Sequence, residues 1–261
     1  MTGYYCVGEP TMAKHMKAAS PQAAGPQAAS SQPAALQSEM FFWERKGLDF
    51  PFYNDKNMGL WQPILLIASA VVPLLLLQYL PDSRLIKSLF LCLAPLVPFL
   101  IVARGNIFTI VKRPRLGDIP LVIVTLILTI AFGIGVAAAL YNLGFEIQGN
   151  AVYNEARDEV FFRYLAIQLF GEEMIKLNIF LGVLILAFKR SGNRKVSILV
   201  AIVLTLFIFG LAHLRAYNGA VLQILLIQGL GSIFDLFCYL RTKNILTSYA
   251  MHLIQDAMFL V

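Results

Sequence analysis

The sequence predicts an all-α, polytopic membrane helix bundle of about seven transmembrane helices plus one amphipathic interfacial helix. Three observations predict it. The 261 residues are 58% hydrophobic and 14% charged, with mean hydropathy +0.70, whereas an average soluble domain is roughly 25% charged. Seven stretches approach the roughly 20 apolar residues that cross a bilayer. They are continuously apolar rather than alternating, which selects helices over a β-barrel.

The elements follow in chain order. Residues 18–38, AASPQAAGPQAASSQPAALQS, are Ala, Pro, Ser and Gln, a low-complexity composition that buries no core. Residues 39–59 mix aromatics with charges and suit the headgroup level, where Trp43 and its aromatic neighbours prefer to lie. Residues 1–59 thus read as a disordered or interfacial tail, and 60–261 as one membrane domain. Residues 1–20 lack an apolar signal-peptide core, so the first span is expected to act as an uncleaved anchor. Spans are expected at 60–80, 84–102, 119–141, 170–188, 196–214, 220–240 and 245–261. Pro73 and Pro95 fall inside spans, where neighbouring helices can satisfy the freed carbonyls. Residues 146–169 alternate charged and apolar side chains at helical spacing, which predicts the interfacial helix leading into the fourth span. Cys6, Cys92 and Cys238 have no disulfide or metal spacing, and the latter two read as small apolar packing residues.

The net charge of +6 is explained by topology rather than by nucleic acid. With the N-terminus cytoplasmic, fifteen cations fall on the cytoplasmic side, among them Arg45, Lys112, Arg113, Arg115, Arg194 and Lys243, against five on the other. The positive-inside rule favours that orientation. The expected partners are the lipid bilayer and a peptide or protein substrate, with no nucleic acid.

Ionisable groups inside the spans carry the functional signal, because each costs several kcal/mol in lipid and marks a site by default. Glu172 and Glu173 open the fourth span, with Lys176 beside them. His213 follows Phe209 by four residues near the end of the fifth, and His252 and Asp256 lie four apart in the seventh. In a helix Glu172 and Lys176 share a face and Glu173 is turned by about 100°. An intrahelical Glu–Lys pair explains one glutamate but not both. Two adjacent carboxylates in a low dielectric cannot both ionise cheaply, which suits a general base. A carboxylate four residues from a histidine can orient the imidazole. Taken singly, each histidine is as well explained by core hydrogen bonding. Taken together, the groups are expected in the same half of the bilayer, as one shared site.

This ordered set, a Glu-Glu pair with a following cation, then FxxxH, then HxxxD, resembles the CPBP family of intramembrane proteases. That family is named for CAAX proteases and bacteriocin-processing enzymes and is also called Abi. Its usual motifs are EExxxR, FxxxH and HxxxN/D. The separations of 40 residues from Glu173 to His213 and 39 from His213 to His252 suit it, and the resemblance covers about residues 170–261. It implies that Glu172, with Glu173, and His213 activate the attacking water, while His252 and Asp256 stabilise the oxyanion or orient the scissile carbonyl. Lys176 stands for the common arginine, and Asp256 for the frequent asparagine. The earlier stretch Asp158-Glu159-Val160-Phe161-Phe162-Arg163 imitates the opening motif, but lies 54 residues before His213 and reads as amphipathic helix. Glu172, His213 and His252 are candidate ligands for a zinc ion with an open position for water, although no HExxH is present.

The resemblance implies an integral protein of a bacterial plasma membrane that hydrolyses a peptide bond of a membrane-associated peptide or protein, CAAX prenyl protease-like, by Glu/His-activated water. The alternative from another class is a non-catalytic bacteriocin self-immunity or scaffold protein on the same fold. A proton-coupled transporter would also bury Glu and His, but no inverted repeat is visible.

Overall fold

A computed structural model describes residues 40–150 and 159–260; the predicted low-complexity stretch and Asp158 lie outside the described residues. Among the described residues the fold is all-helical. The main helices are α1 Trp61–Leu76, α2 Arg84–Val102, α3 Ile119–Asn142, α4 Glu159–Ser191, α5 Arg194–Ala212, α6 Ile233–Thr242 and α7 Ile245–Leu260. Before α6 the chain runs through one short turn, Val221–Gln223, and one π-helical stretch, Ile224–Gly229.

Among the described residues, five helical segments are long and apolar enough to cross a membrane: Trp61–Tyr79, Arg84–Val102, Leu116–Asn142, Arg194–Ala212 and Val221–Thr242. The expected count of seven differs at two places. α4 is a single helix of 33 residues, about 50 Å at 1.5 Å per residue. The interfacial helix and the fourth span are therefore one continuous element from Glu159 onward, because nothing between 159 and 191 breaks it. α7 has only 16 residues, just under the length that crosses unaided.

α4 is the centre of the bundle, packed against α1, α2, α5 and α7, while α3 closes the far side on α6 and α7. Its stretch Met174–Ile185 is buried throughout. Asn178 ties three helices together, donating from Nδ2 to Ser69 Oγ at 3.0 Å and to the Pro95 carbonyl at 2.8 Å. Two glycines set the approach of helices beside the site. Pro95 takes the helical donor from the Leu91 carbonyl, and that carbonyl lies where a Cβ on Gly171 would have to go. On α5, a Cβ on Gly210 would lie 3.0 Å from the Gly229 Cα, so the π-helical stretch packs directly on backbone one turn before His213.

Residues 40–59 do more than line a headgroup level. Phe50, Tyr53 and Met58 join the main core, and Glu44 is buried in an ion cluster. Glu44 accepts from both Arg194 Nη atoms at 2.7 Å and from Lys243 Nζ at 2.8 Å. Asp49 accepts a further 2.7 Å bond from Arg194, and Lys243 lies 3.4 Å from the Phe50 ring centroid. Burial alone would raise the Glu44 carboxyl, but Arg194 and Lys243 outweigh it and hold it below the usual carboxylate range. Burial pushes the Lys243 ammonium down to about 8, against the pull of Glu44. The same end holds Arg45 on Asp118 and Arg241 on the Trp43 carbonyl. The described stretches that the charge count assigned to one side of the membrane thus meet at one end of the bundle.

Candidate active site

The site is built where α4, α5, α6 and α7 face one another. The two glutamates, one residue apart on α4, point different ways. Glu172 lines a cavity of about 370 Å³ together with His213, Asp235, His252 and Asp256. Its Oε1 accepts from Gln168 Nε2 at 3.0 Å, one turn back. Glu173 turns into the protein and is buried. Its Oε1 lies 2.7 Å from His252 Nδ1 and 2.5 Å from Lys176 Nζ, and its Oε2 accepts from Ser248 Oγ.

Two expectations are corrected. Lys176 was expected to share a face with Glu172. It pairs instead with Glu173 and, across the bundle, with Asp235, because the lysine follows the buried carboxylate inward and leaves Glu172 to the cavity. Asp256 was expected to orient His252, but its Oδ1 is 3.8 Å from Nε2, beyond a hydrogen bond. Glu173 holds that ring, since α4 and α7 pack with it against Nδ1. Both Glu173 and Asp256 remain beside His252, in different positions.

His213 sits at the C-terminal end of α5. Its Nδ1 is 2.9 Å from the Phe209 carbonyl and its ring is 4.8 Å from the Phe209 ring. When Nδ1 donates to that carbonyl, Nε2 of the neutral ring is left as an acceptor. Phe209 also lies over Lys176, 4.7 Å from Nζ to centroid, so the FxxxH phenylalanine packs against the ammonium and the imidazole at once. The structure therefore brings Glu172, His213, His252 and Asp256 to one cavity and sets Glu173 behind it.

Sequence reasoning missed Asp235 and Ser248. Asp235 is buried, holds Lys176 through Oδ2, and leaves Oδ1 without a hydrogen-bond partner among the described residues. Its signal was present, since an acid inside the run IFDLFCYL is an intramembrane ionisable group like the others.

Among the described residues the grouping whose ligand atoms lie within 4.8 Å of one another is Glu173, Asp235 and His252, not Glu172, His213 and His252. Lys176 Nζ already bridges its two carboxylates. A dication there would meet a resident ammonium, so the residues as packed do not fit one.

Residues 147–258 match the family model described as Type II CAAX prenyl endopeptidase Rce1-like. That stretch resembles an Rce1-like domain of the CPBP family, and the five long apolar helices among the described residues support an integral membrane protein. The match reaches further toward the N-terminus than residue 170 and takes in the 158–163 stretch. No curated protein and no solved structure matches the chain. One departure from the family pattern is sharper than residue type alone. Lys176 follows Glu172 by four residues, where EExxxR places its arginine at the fifth, here Leu177.

Proposed function

We propose that the protein is an intramembrane endopeptidase that hydrolyses a peptide bond of a membrane-associated peptide or protein with a water activated by Glu172 and His213. The observation that carries this reading is the shared cavity, where Glu172, His213, His252 and Asp256, from three helices, line one volume of about 370 Å³.

The roles follow from what each group is free to do. Glu172 accepts from Gln168 and faces the cavity, so it serves as general base toward a water. His213, anchored through Nδ1, presents Nε2 as a second acceptor. Glu173 is fully engaged by Lys176, Ser248 and His252 and acts as a positioning residue. It holds the His252 ring so that Nε2, when protonated, donates to the oxyanion that forms on the scissile carbonyl. Asp256 lies beside that nitrogen and counters its charge. Water attack makes the tetrahedral intermediate, and the proton taken by Glu172 passes to the leaving amine as the C–N bond breaks. Lys176 supplies fixed positive charge behind the site, and no step requires a metal.

The orientation proposed is N-terminus inside, in a bacterial plasma membrane. It is supported by the gathering of Arg45, Lys112, Arg194, Arg241 and Lys243 at one end of the bundle.

The test is comparative proteomics of a strain carrying wild type, Glu172→Gln or His213→Ala at equal abundance. A cleavage product present only with wild type is expected. If both variants retain every product, the protease reading fails and the immunity or scaffold role on the same fold takes its place.

A further inference from the structure

The end of the bundle away from the cavity carries a second site. Arg45, Lys112, Arg113 and Arg115 line a cavity of about 220 Å³ with Asp118, Thr242 and Asn244. Its charge is unbalanced. Asp118 is taken by Arg45, and neither Lys112, Arg113 nor Arg115 has an ion-pair partner among the described residues. By contrast, the neighbouring cluster of Glu44, Asp49, Arg194 and Lys243 is neutral within itself.

The backbone that carries Lys112 and Arg115 is also held in place. Asn244 accepts from the Lys112 amide and donates to the Lys112 carbonyl, both at 3.0 Å. The Ile245 amide donates to the Ile110 carbonyl at 2.9 Å. The loop is thus tied to the α6–α7 connection on both sides of Lys112. At its other end Asp118 accepts from the Arg115 amide at 3.3 Å. Like charges carried on one tethered loop repel, and partial burial, with Arg115 nearby, lowers the Lys112 ammonium. An oxyanion would relieve that repulsion. Guanidinium groups match phosphate oxygens in geometry as well as charge. The loop runs straight into the Leu116–Asn142 membrane segment, which puts the cavity at headgroup depth.

We propose that Arg113, Arg115 and Lys112 form a binding site for a phosphate oxyanion, supplied by the headgroup of an anionic phospholipid. The site is separate from the catalytic reading and stands without it.

The experiment uses the full chain in detergent, titrated with dioleoyl phosphatidylglycerol or dioleoyl phosphatidylcholine and read by native mass spectrometry, with inorganic phosphate as a second arm. Wild type should retain one phosphatidylglycerol with an apparent Kd at least about tenfold below that for phosphatidylcholine, and Arg113→Gln/Arg115→Gln should lose that preference by about tenfold. Lys46→Gln/Lys56→Gln removes the same charge from exposed positions at the same end and should keep it. Saturable inorganic phosphate binding that depends on Arg113 and Arg115 and excludes the lipid would support the site with free phosphate as its ligand. No preference for phosphatidylglycerol together with no phosphate binding, or equal losses in the two double variants, would overturn it. Unchanged thermal unfolding of the arginine variant shows that its loss is not misfolding.

Discussion

Glu173 Oε1 lies 2.7 Å from His252 Nδ1, across the interface of α4 and α7, while the adjacent Glu172 faces the open cavity. Two chemically identical neighbours are therefore given different work by one helical step of about 100°.

That division predicts different defects. Glu172→Gln should lower turnover by about 10²–10⁴-fold, the usual contribution of a general base, with thermal unfolding unchanged, because the bond with Gln168 can still form. Glu173→Gln should lower both turnover and unfolding temperature, because the buried Lys176 ammonium loses one of its two counter-charges and the His252 ring loses a charged acceptor. Turnover of a purified substrate beside a melting curve for each variant decides it; equal melting temperatures would contradict the positioning role of Glu173.

Asp235 and Lys176 form a buried pair. Removing one partner of such a pair typically costs about 3–5 kcal/mol, whereas replacing both with apolar groups can be near neutral. Asp235→Leu leaves Lys176 on Glu173, so Lys176→Met, which strands two buried carboxylates, should be the more damaging single change, and Lys176→Met/Asp235→Leu should recover part of its loss. Denaturant unfolding in mild detergent, run as a double-mutant cycle, measures the coupling.

The Glu44 cluster gives a pH signature. Lys243 has its folded pKa lowered to about 8 from the usual 10.5, so between those values the unfolded chain binds more protons and stability rises with pH. Glu44 is held below 4.5 in the fold, so its contribution is present above 4.5 and is lost as pH falls further. The melting temperature of wild type relative to Lys243→Met should therefore climb from pH 8 to 10, and relative to Glu44→Gln should fall below pH 4.5.

Gly171 offers a steric test. A methyl there meets the Leu91 carbonyl, which as backbone cannot rotate away. Gly171→Ala should destabilise by about 1–3 kcal/mol, the range for overpacking, and should lower activity as well, since the position is next to Glu172. A melting curve as high as wild type would show that α2 can shift freely.

Much of this architecture was legible because lipid imposes it. Continuous apolar runs located every main helix from Trp61 onward, and the rarity of intramembrane charge pointed to Glu172, His213, His252 and Asp256. Pairings across helices were not legible. That Lys176 joins Glu173 and Asp235 rather than Glu172, and that Glu173 rather than Asp256 holds His252, depends on how α4 is rotated against α6 and α7, which spacing within one helix cannot reveal. The burial of Glu44 was hidden for a similar reason, as its partners Arg194 and Lys243 lie 150 and 199 residues away. The length of α4 was misread because its charged first third and apolar remainder look like two elements, although no breaker separates them.

The bond between Glu44 and Lys243 also fixes an order of events during biosynthesis. The carboxylate leaves the ribosome 199 residues before its ammonium partner, on the order of 10–40 s at ~5–20 residues per second. Throughout that interval the ammonium that covers the Phe50 ring is missing. The charge cluster is completed only once residue 243 is made, so a chain stalled before it leaves Glu44 with Arg194 alone.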